Sequence, residues 1–228
     1  IKQQYMDMDY TEPPGDGEQG GYTDVYDVYI TDLPSGIAGF CSASGTVGNP
    51  WPSFVVVDNK LSFDDVQSST TLSSTLAHEY FHSIQYGYDP AERSWWKETT
   101  AVWAQDEIFD DINDYLLLVP YRMQSPHKPL DTADGRTEYG NVVWAKFLEE
   151  RFPAADMVQT IWEAQAQNRA TAIPENTMEG IATVLADQGY NVDDALGEYA
   201  TWLYRKELFE EGSNYPSVAV ARTVESYP

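Results

Sequence analysis

The feature that most constrains the fold is a stretch of helical spacing between Thr70 and Gly87. Large apolar side chains recur there at every fourth position, namely Leu72, Leu76, Tyr80 and Ile84. Residues four apart share one face of an α-helix, so this face is predicted to pack against a core. His78 and His82 lie beside the apolar face and one turn apart, so both imidazoles are expected to face a cleft at the edge of that core.

Glu79 completes the pattern His-Glu-x-x-His with these two histidines. Histidines at this spacing on a helix are typical zinc ligands, and the neighbouring carboxylate can take a proton from a zinc-activated water. A hydrolytic zinc site uses three protein ligands and leaves a fourth position open. We therefore predict His78 and His82 as two zinc ligands and Glu79 as the general base.

A third zinc ligand has to come from the sequence beyond His82. The candidates are Asp89, Glu92, Glu98, Asp106, Glu107 and His127. Asp89 and Glu92 fall in the turn after the helix, too close along the chain to fold back. Asp106 and Glu107 lie two turns further down a second helix, which is predicted over residues 96–109. We predict Glu98 as the third ligand, because it stands near the start of that second helix.

Hydrolysis at such a site also needs a donor that stabilises the negatively charged oxygen of the reaction intermediate. Tyr139, at the predicted start of a later helix, is our candidate, because a phenol can donate across the cleft. Two alternatives stay open: Tyr139 is an ordinary core residue, or His127 supplies the donor.

The single cysteine, Cys41, excludes an intramolecular disulfide bond. We interpret Cys41 as a small buried residue. The alternative is a latent form in which its thiolate occupies the zinc.

The net charge of −24 comes from 37 acidic and 13 basic residues spread along the 228-residue chain. Such a surface repels nucleic acid and anionic membranes, so neither is expected as a partner. No apolar run approaches the roughly 18 to 20 residues that span a bilayer, so membrane insertion is not expected. Because the chain begins at Ile1 rather than Met, we expect a secreted protein whose leader is absent from this sequence.

Three acidic clusters are candidates for structural Ca²⁺. They are Asp7-Met8-Asp9, Asp110-Asp111 and residues 131–138. None has the full spacing of a calcium loop, so ordinary solvated charge is the alternative for each of them.

The length and the 42% hydrophobic content predict one catalytic domain over residues 1–228. Its first lobe, residues 1–87, should contain an irregular lead-in to residue 24, strands over residues 25–30 and 53–57, and the histidine-bearing helix. A Gly- and Ser-rich segment between the strands is expected to form turns and a further short strand. The second lobe, residues 88–228, is predicted to be mainly helical, with helices over residues 96–109, 139–152, 157–167, 175–188 and 192–211. The predicted fold class is α+β, with a small twisted N-terminal sheet.

A helix with HExxH followed by a helix with Glu resembles the gluzincin metallopeptidases. More narrowly, three motifs resemble a poorly characterised family of secreted bacterial metalloproteases: residues 78–85, the group Trp96, Glu98, Ala101 and Trp103, and Tyr139-Gly140. These motifs lie within residues 25–152, and the zinc motif alone is highly specific. The resemblance implies a zincin-like fold with its active site between two lobes, zinc ligands at His78, His82 and Glu98, and a base at Glu79.

Two further expectations come from this resemblance. Thermolysin-like enzymes have an acidic residue four positions after the ligand Glu, where this chain has Val102. The group that orients a zinc histidine is then expected to be Asp106, a backbone carbonyl or a loop carboxylate. The strand from Phe54 to Val57 resembles the edge strand that binds an extended peptide, with an ordinary buried strand as the alternative.

The predicted activity is zinc-dependent hydrolysis of peptide bonds, by an endopeptidase acting on peptides or proteins. One alternative is a zinc-binding module without turnover, and the intact base Glu79 argues against it. The other is a zinc hydrolase with a non-peptide substrate.

Overall fold

The computed structural model describes residues 1–17, 25–46, 49–61, 66–168 and 177–220. These ranges form a mixed α+β structure, in which a small sheet lies at the N-terminal side and helices make up most of the remainder. None of the helices in these ranges combines the length and the apolar character needed to cross a membrane.

The sheet contains β1 (Val28–Thr31), β2 (Gly39–Ala43) and β3 (Ser53–Asp58), in the order β1-β3-β2. β1 runs parallel to β3, and β2 runs antiparallel to it. The prediction that residues 54–57 form an edge strand is therefore wrong, because β3 is paired on both sides. The valines of β3 are all buried, as is typical of a strand inside a sheet.

The two outer strands differ from the expectation in different ways. β2 is the short strand expected within the Gly- and Ser-rich segment, of which residues 47–48 lie outside the described residues. β1 begins three residues later than predicted, and its side chains are exposed rather than buried on one face. The reason is that helix α2 packs mainly across β2 and β3.

Helices α2 (Val66–Tyr88) and α3 (Ser94–Ile108) lie side by side and are joined by a short turn. Both helices were expected, with boundaries a few residues different. The apolar stripe of α2 is buried, including Phe81 and Ile84. α3 buries residues on all sides, among them Trp95 and Trp96, so it is the central helix of the structure.

The sequence predicted an irregular segment up to residue 24, and this prediction is wrong in part. Helix α1 (Lys2–Asp7) forms within this segment, while residues 18–24 lie outside the described residues. Tyr5 and Tyr10 are buried against Phe81 on the back of α2, with ring centroids 5.3 and 5.1 Å from that of Phe81. The Tyr5 hydroxyl donates to the carbonyl of Ala77 at 2.9 Å, so aromatic burial orders this segment.

The remaining helices are α4 (Val119–Met123), α5 (Thr137–Gly140), α6 (Val142–Arg151), α7 (Met157–Asn168), α8 (Thr177–Asp187) and α9 (Val192–Tyr204). The helix predicted over residues 139–152 is broken at Asn141, which separates α5 from α6. The helix predicted over residues 175–188 starts outside the described residues. The one predicted to residue 211 ends at Tyr204, and short 3₁₀ turns follow it.

One large hydrophobic core joins the N-terminal segment, α2, α3 and the later helices. A smaller cluster between α2 and the sheet contains Val55, Val57 and Leu72. The division of the chain into two lobes at residue 87 stays a prediction.

Candidate metal centre

Helices α2 and α3 bring together the three predicted zinc ligands. Glu98 Oε2 lies 3.2 Å from His78 Nε2 and 3.5 Å from His82 Nε2. The ligand atoms of the three residues all lie within 4.8 Å of one another, and no other group of three or more such residues occurs in the part of the chain that the structure describes. Two helices thus supply one compact His-His-Glu site.

Gln105 on α3 fixes the orientation of His78. Its amide nitrogen donates to Asp114 Oδ1 at 2.7 Å, so its amide oxygen faces the histidine. That oxygen lies 2.9 Å from His78 Nδ1 and can only accept a hydrogen bond. The proton of a neutral His78 is therefore on Nδ1, and Nε2 presents its lone pair to the site.

Gln85 performs the same task for His82. Its amide nitrogen donates to the Lys97 carbonyl at 2.9 Å and to Thr100 Oγ1 at 3.0 Å. Its oxygen accepts from His82 Nδ1 at 2.8 Å. Because Gln85 is fully buried and anchored to α3, the imidazole of His82 is held in one orientation.

The expectation that Asp106 orients a zinc histidine is wrong. Asp106 forms an ion pair with Lys146, whose Nζ lies 2.6 Å from Oδ2, and Lys146 also lies over the ring of Tyr115. Neutral amides, rather than carboxylates, therefore orient both histidines.

The electrostatics of the site follow from the proximity of these groups. Burial alone would lower the pKa of His78, but the hydrogen bond that the protonated imidazole donates to Glu98 and the charges of Glu79 and Glu98 raise it to about 9. Burial alone would raise the pKa of Glu98, but its contacts with both histidines hold it well below the usual value. Glu98 is therefore an anion at neutral pH, as a metal ligand needs to be.

A cleft of about 300 Å³ contains this site. Besides the three ligands, its walls are formed by Gly39, Phe40, Cys41, Glu79, Tyr86, Ser94, Lys97 and Tyr139. The base candidate Glu79 is 9% exposed and faces the same space as the ligands. The cleft is thus enclosed by β2 on one side and by α2, α3 and α5 on the others.

Gly39 allows β2 to approach α2 closely. A Cβ atom at this position would lie 2.8 Å from Thr75 Cγ2 and 3.3 Å from Glu79 Cγ. Any larger residue would push the strand away from the helix next to the base candidate.

Tyr139 lies in the cleft, partly buried, and its ring stacks against that of His78 with centroids 6.3 Å apart. Thr99, next to the ligand Glu98, donates to the carbonyl of Glu138 at 2.9 Å and so ties α5 to α3. A Cβ atom on Gly140 would lie 2.6 Å from the backbone nitrogen of Arg122, so only glycine permits this contact with α4. The structure therefore brings Tyr139 beside the three predicted ligands, and its part as a hydrogen-bond donor in hydrolysis stays a prediction.

His127 does not take the alternative part considered for it, whereas Cys41 lies in the cleft. His127 is exposed and is not among the residues of the cleft. Cys41 lies at the cleft wall, with Sγ 3.3 Å from Ser83 Oγ, and burial raises the pKa of its thiol to about 11. Cys41 thus lies in the same cleft as the predicted ligands, and the latent form in which its thiolate occupies the zinc stays an alternative.

The turn before Tyr139 coincides with one of the acidic clusters. The Glu138 carboxylate accepts hydrogen bonds from the backbone N–H groups of Asp134, Gly135 and Arg136 at 2.8 to 3.0 Å. Asp134 accepts from the backbone of Thr137 at 2.9 Å. These carboxylates order the turn that leads into α5, and calcium binding at the acidic clusters stays a prediction.

Sequence reasoning missed several residues of this site, although two of them carried a signal. Gln85 is three residues after His82, and Gln105 is seven after Glu98, so each shares a helix face with a ligand. Gly39 and Lys97 gave no comparable signal, because the packing of β2 on α2 and the walls of the cleft are tertiary features.

Comparison of the chain with protein-family models, with curated proteins and with solved structures found no match.

Proposed function

We propose that this protein is a zinc-dependent peptidase. The observation that carries the proposal is the convergence of His78 Nε2, His82 Nε2 and Glu98 Oε2 in a cleft that also contains Glu79. Two imidazoles and one carboxylate form a typical donor set for a hydrolytic zinc ion, which keeps a further coordination position open.

The geometry of the donors fits zinc. Two bonds of about 2.0–2.1 Å that meet at a tetrahedral angle place their ligand atoms about 3.3–3.4 Å apart. The carboxylate oxygen of Glu98 lies 3.2 and 3.5 Å from the two histidine nitrogens. Both histidines have their remote nitrogen hydrogen-bonded to an amide oxygen, which leaves the other nitrogen free to bind a metal.

The residues of the cleft have different roles in the proposed hydrolysis. When bound, zinc supplies a Lewis acid that polarises the scissile carbonyl and lowers the pKa of a water molecule. Glu79 takes a proton from the attacking water and later delivers it to the leaving amine. The hydroxyl of Tyr139 donates to the carbonyl oxygen as negative charge develops there.

The position of β2 supports an extended peptide as the substrate. The backbone N–H of Asp58 donates to the Ala38 carbonyl at 2.8 Å, and the backbone N–H of Ser44 donates to the Pro52 carbonyl at 3.2 Å. Because antiparallel pairs alternate, the backbone groups of Gly39 and Cys41 point away from β3, towards an edge that no other strand of the described residues covers. A peptide paired with this edge would run along the cleft wall.

We infer a zincin-like arrangement from the same features. An antiparallel edge strand lies beside the HExxH helix, and a following helix supplies the glutamate ligand. This arrangement places β2, rather than the central strand β3, beside the substrate.

The test is elemental analysis of the purified protein together with digestion of a peptide library. We expect one equivalent of zinc, and cleavage that a chelator abolishes and added zinc restores. Glu79→Gln should keep its zinc but lose about 10²- to 10⁴-fold in kcat, the usual contribution of a general base. Glu98→Ala should lose both zinc and activity.

Each outcome of this test has a different meaning. Bound zinc without cleavage of any peptide would refute the peptidase proposal and leave a metal-binding module or another hydrolase. Absence of zinc affinity would refute the metal centre itself. Undiminished turnover by Glu79→Gln would show that Glu79 is not the general base.

A further inference from the structure

Lys97 is the one lysine or arginine among the residues that line the cleft. It lies on α3 next to the ligand Glu98 and is half-buried. Its ammonium lies over the ring of Tyr86, another cleft residue, with Nζ 5.1 Å from the ring centroid. A cation therefore stands in the wall of the cleft, close to the proposed zinc ion.

The ammonium of Lys97 has no acceptor among the described residues. The other lysines each have one: Lys2 contacts Glu12, Lys60 contacts Asp32, Lys128 contacts Asp134, Lys146 contacts Asp106, and Lys206 donates to the Tyr215 carbonyl. No carboxylate of the described residues lies within 4.0 Å of Lys97 Nζ, the distance that defines those ion pairs. Lys97 thus differs from a lysine that has a structural ion pair.

The comparison with Lys146 makes this difference clear. Both lysines are half-buried and both lie over a tyrosine ring, at 5.1 Å for Lys97 and 4.7 Å for Lys146. Lys146 is neutralised by Asp106 at 2.6 Å, whereas Lys97 has no such partner.

The surroundings of Lys97 favour an anion supplied from outside. Ser94, the first residue of α3, also lines the cleft, and this helix starts without a side-chain cap and without an acidic residue in its first turn. The positive end of a helix therefore adds to the charge of Lys97. A half-buried ammonium without a partner gains strongly from a charge-assisted hydrogen bond.

We propose that Lys97 is a specificity residue that binds a carboxylate of the substrate close to the scissile bond. The carboxylate belongs either to an acidic side chain or to the C-terminus of the peptide. This inference rests on the proposed peptidase function, because it assigns a substrate class to the same cleft. The net charge of −24 repels acidic peptides from the surface as a whole, so the selection has to be made locally.

The test starts from a neutral peptide that the zinc-loaded wild type cleaves. Gln, Glu or Lys is placed in turn at each of the three positions on either side of the cleaved bond, with the C-terminus free or amidated. We expect Glu at one position, or a free C-terminus, to raise kcat/KM by about 10- to 100-fold over the neutral form, as one charge-assisted contact would. The side-chain and C-terminal series distinguish the two sources of the carboxylate.

Two variants and one control complete the experiment. Lys97→Met should abolish the preference for the carboxylate, mainly through KM, and Lys97→Glu should transfer the preference to the Lys-containing peptide. Lys60→Met, on an exposed lysine paired with Asp32, should retain the wild-type preference. Zinc content and the circular dichroism spectrum establish that each variant is folded.

The results separate this inference from the proposed function. If the wild type cleaves the neutral peptide but gains nothing from Glu or from a free C-terminus, the inference is wrong and the peptidase function stands. An unchanged preference in folded Lys97→Met would also overturn it. If the zinc-loaded wild type cleaves no peptide, the proposed function fails and the inference fails with it.

Discussion

Tyr139 keeps its proton in this cleft because its surroundings disfavour a phenolate. Burial raises the pKa of the phenol above its usual range, and the charges of Glu98 and Glu138 raise it further. The protonated form is the one that can donate a hydrogen bond to a developing oxyanion. Because its ring lies against that of the proposed ligand His78, Tyr139 is held close to the proposed metal centre.

Replacement of Tyr139 by Phe removes the donor and retains the ring. We expect kcat to fall by about 10²- to 10³-fold with little change in zinc content, as on loss of one oxyanion donor. Because the pKa of Tyr139 is raised, its hydroxyl stays protonated at every pH below about 10, the ordinary pKa of a tyrosine. The ratio of kcat for the wild type to kcat for Tyr139→Phe should therefore stay constant from about pH 6 to about pH 9. Steady-state kinetics at several pH values checks this. An unchanged kcat would show that Tyr139 is an ordinary core residue and not the donor.

Each of the helices α2 and α3 contributes at least one of the proposed metal ligands. Each also contributes a glutamine that orients one of the two histidines. His78 on α2 is oriented by Gln105 on α3, and Gln85 on α2 is anchored by the Lys97 carbonyl and by Thr100 on α3. Thr100 Oγ1 itself donates to the Trp96 carbonyl at 2.8 Å. Any sliding of one helix along the other would break these bonds, so the proposed metal centre depends on the register of the two helices.

Gln105→Met retains the volume of the side chain and removes the acceptor for His78 Nδ1. We expect the affinity for zinc to fall by about 10- to 100-fold, the usual effect of losing a group that orients a ligand. A competition titration with a chromophoric chelator measures this.

The matched control is Gln165→Met on α7. Gln165 is also fully buried, but its amide has no hydrogen-bond partner among the described residues. Its replacement should leave zinc affinity unchanged and should maintain or raise the free energy of unfolding, because an unsatisfied polar group is removed. Equal zinc affinities for the Gln105 and Gln165 variants would show that the hydrogen bond to His78 does not matter.

The sequence predicted those parts of the site whose information is local. His78, Glu79 and His82 occupy consecutive turns of one helix, and Glu98 is near the start of the next, so spacing alone brings them together. β2 was expected only as an unspecified short strand, because Gly39-Phe40-Cys41-Ser42-Ala43 shows little apolar alternation. Its place at the cleft depends on pairing with β3 and on the missing side chain of Gly39.

At the scale of the whole molecule, the proposed metal centre lies on one side of α2 and a packed aromatic cluster on the other. Tyr5 and Tyr10 from the N-terminal segment contact Phe81, and Tyr5 stacks with Tyr80 at 6.1 Å. The charge of −24 favours expansion of the chain, so burial in this core has to hold the helix in place.

Tyr5→Ala should therefore destabilise the whole structure. Tyr5 is 0% exposed, and removal of a buried aromatic ring typically lowers the free energy of unfolding by about 3–5 kcal/mol. Tyr204→Ala is the control, because Tyr204 is 71% exposed and its loss should cost no more than about 0.5 kcal/mol. Urea denaturation of the three proteins measures the difference, and similar midpoints for the two variants would contradict this account of the N-terminal segment.

The packing of the N-terminal segment also sets an order for folding during synthesis. Tyr5 bonds to Ala77, 72 residues later, and the carbonyl of Asp9 accepts from Gln159, 150 residues later. This segment is thus translated well before the partners that it contacts in the folded structure. Until α7 has been synthesised, the N-terminal segment lacks its contact with Gln159. A ribosome that stalls before residue 159 therefore carries an incompletely folded chain.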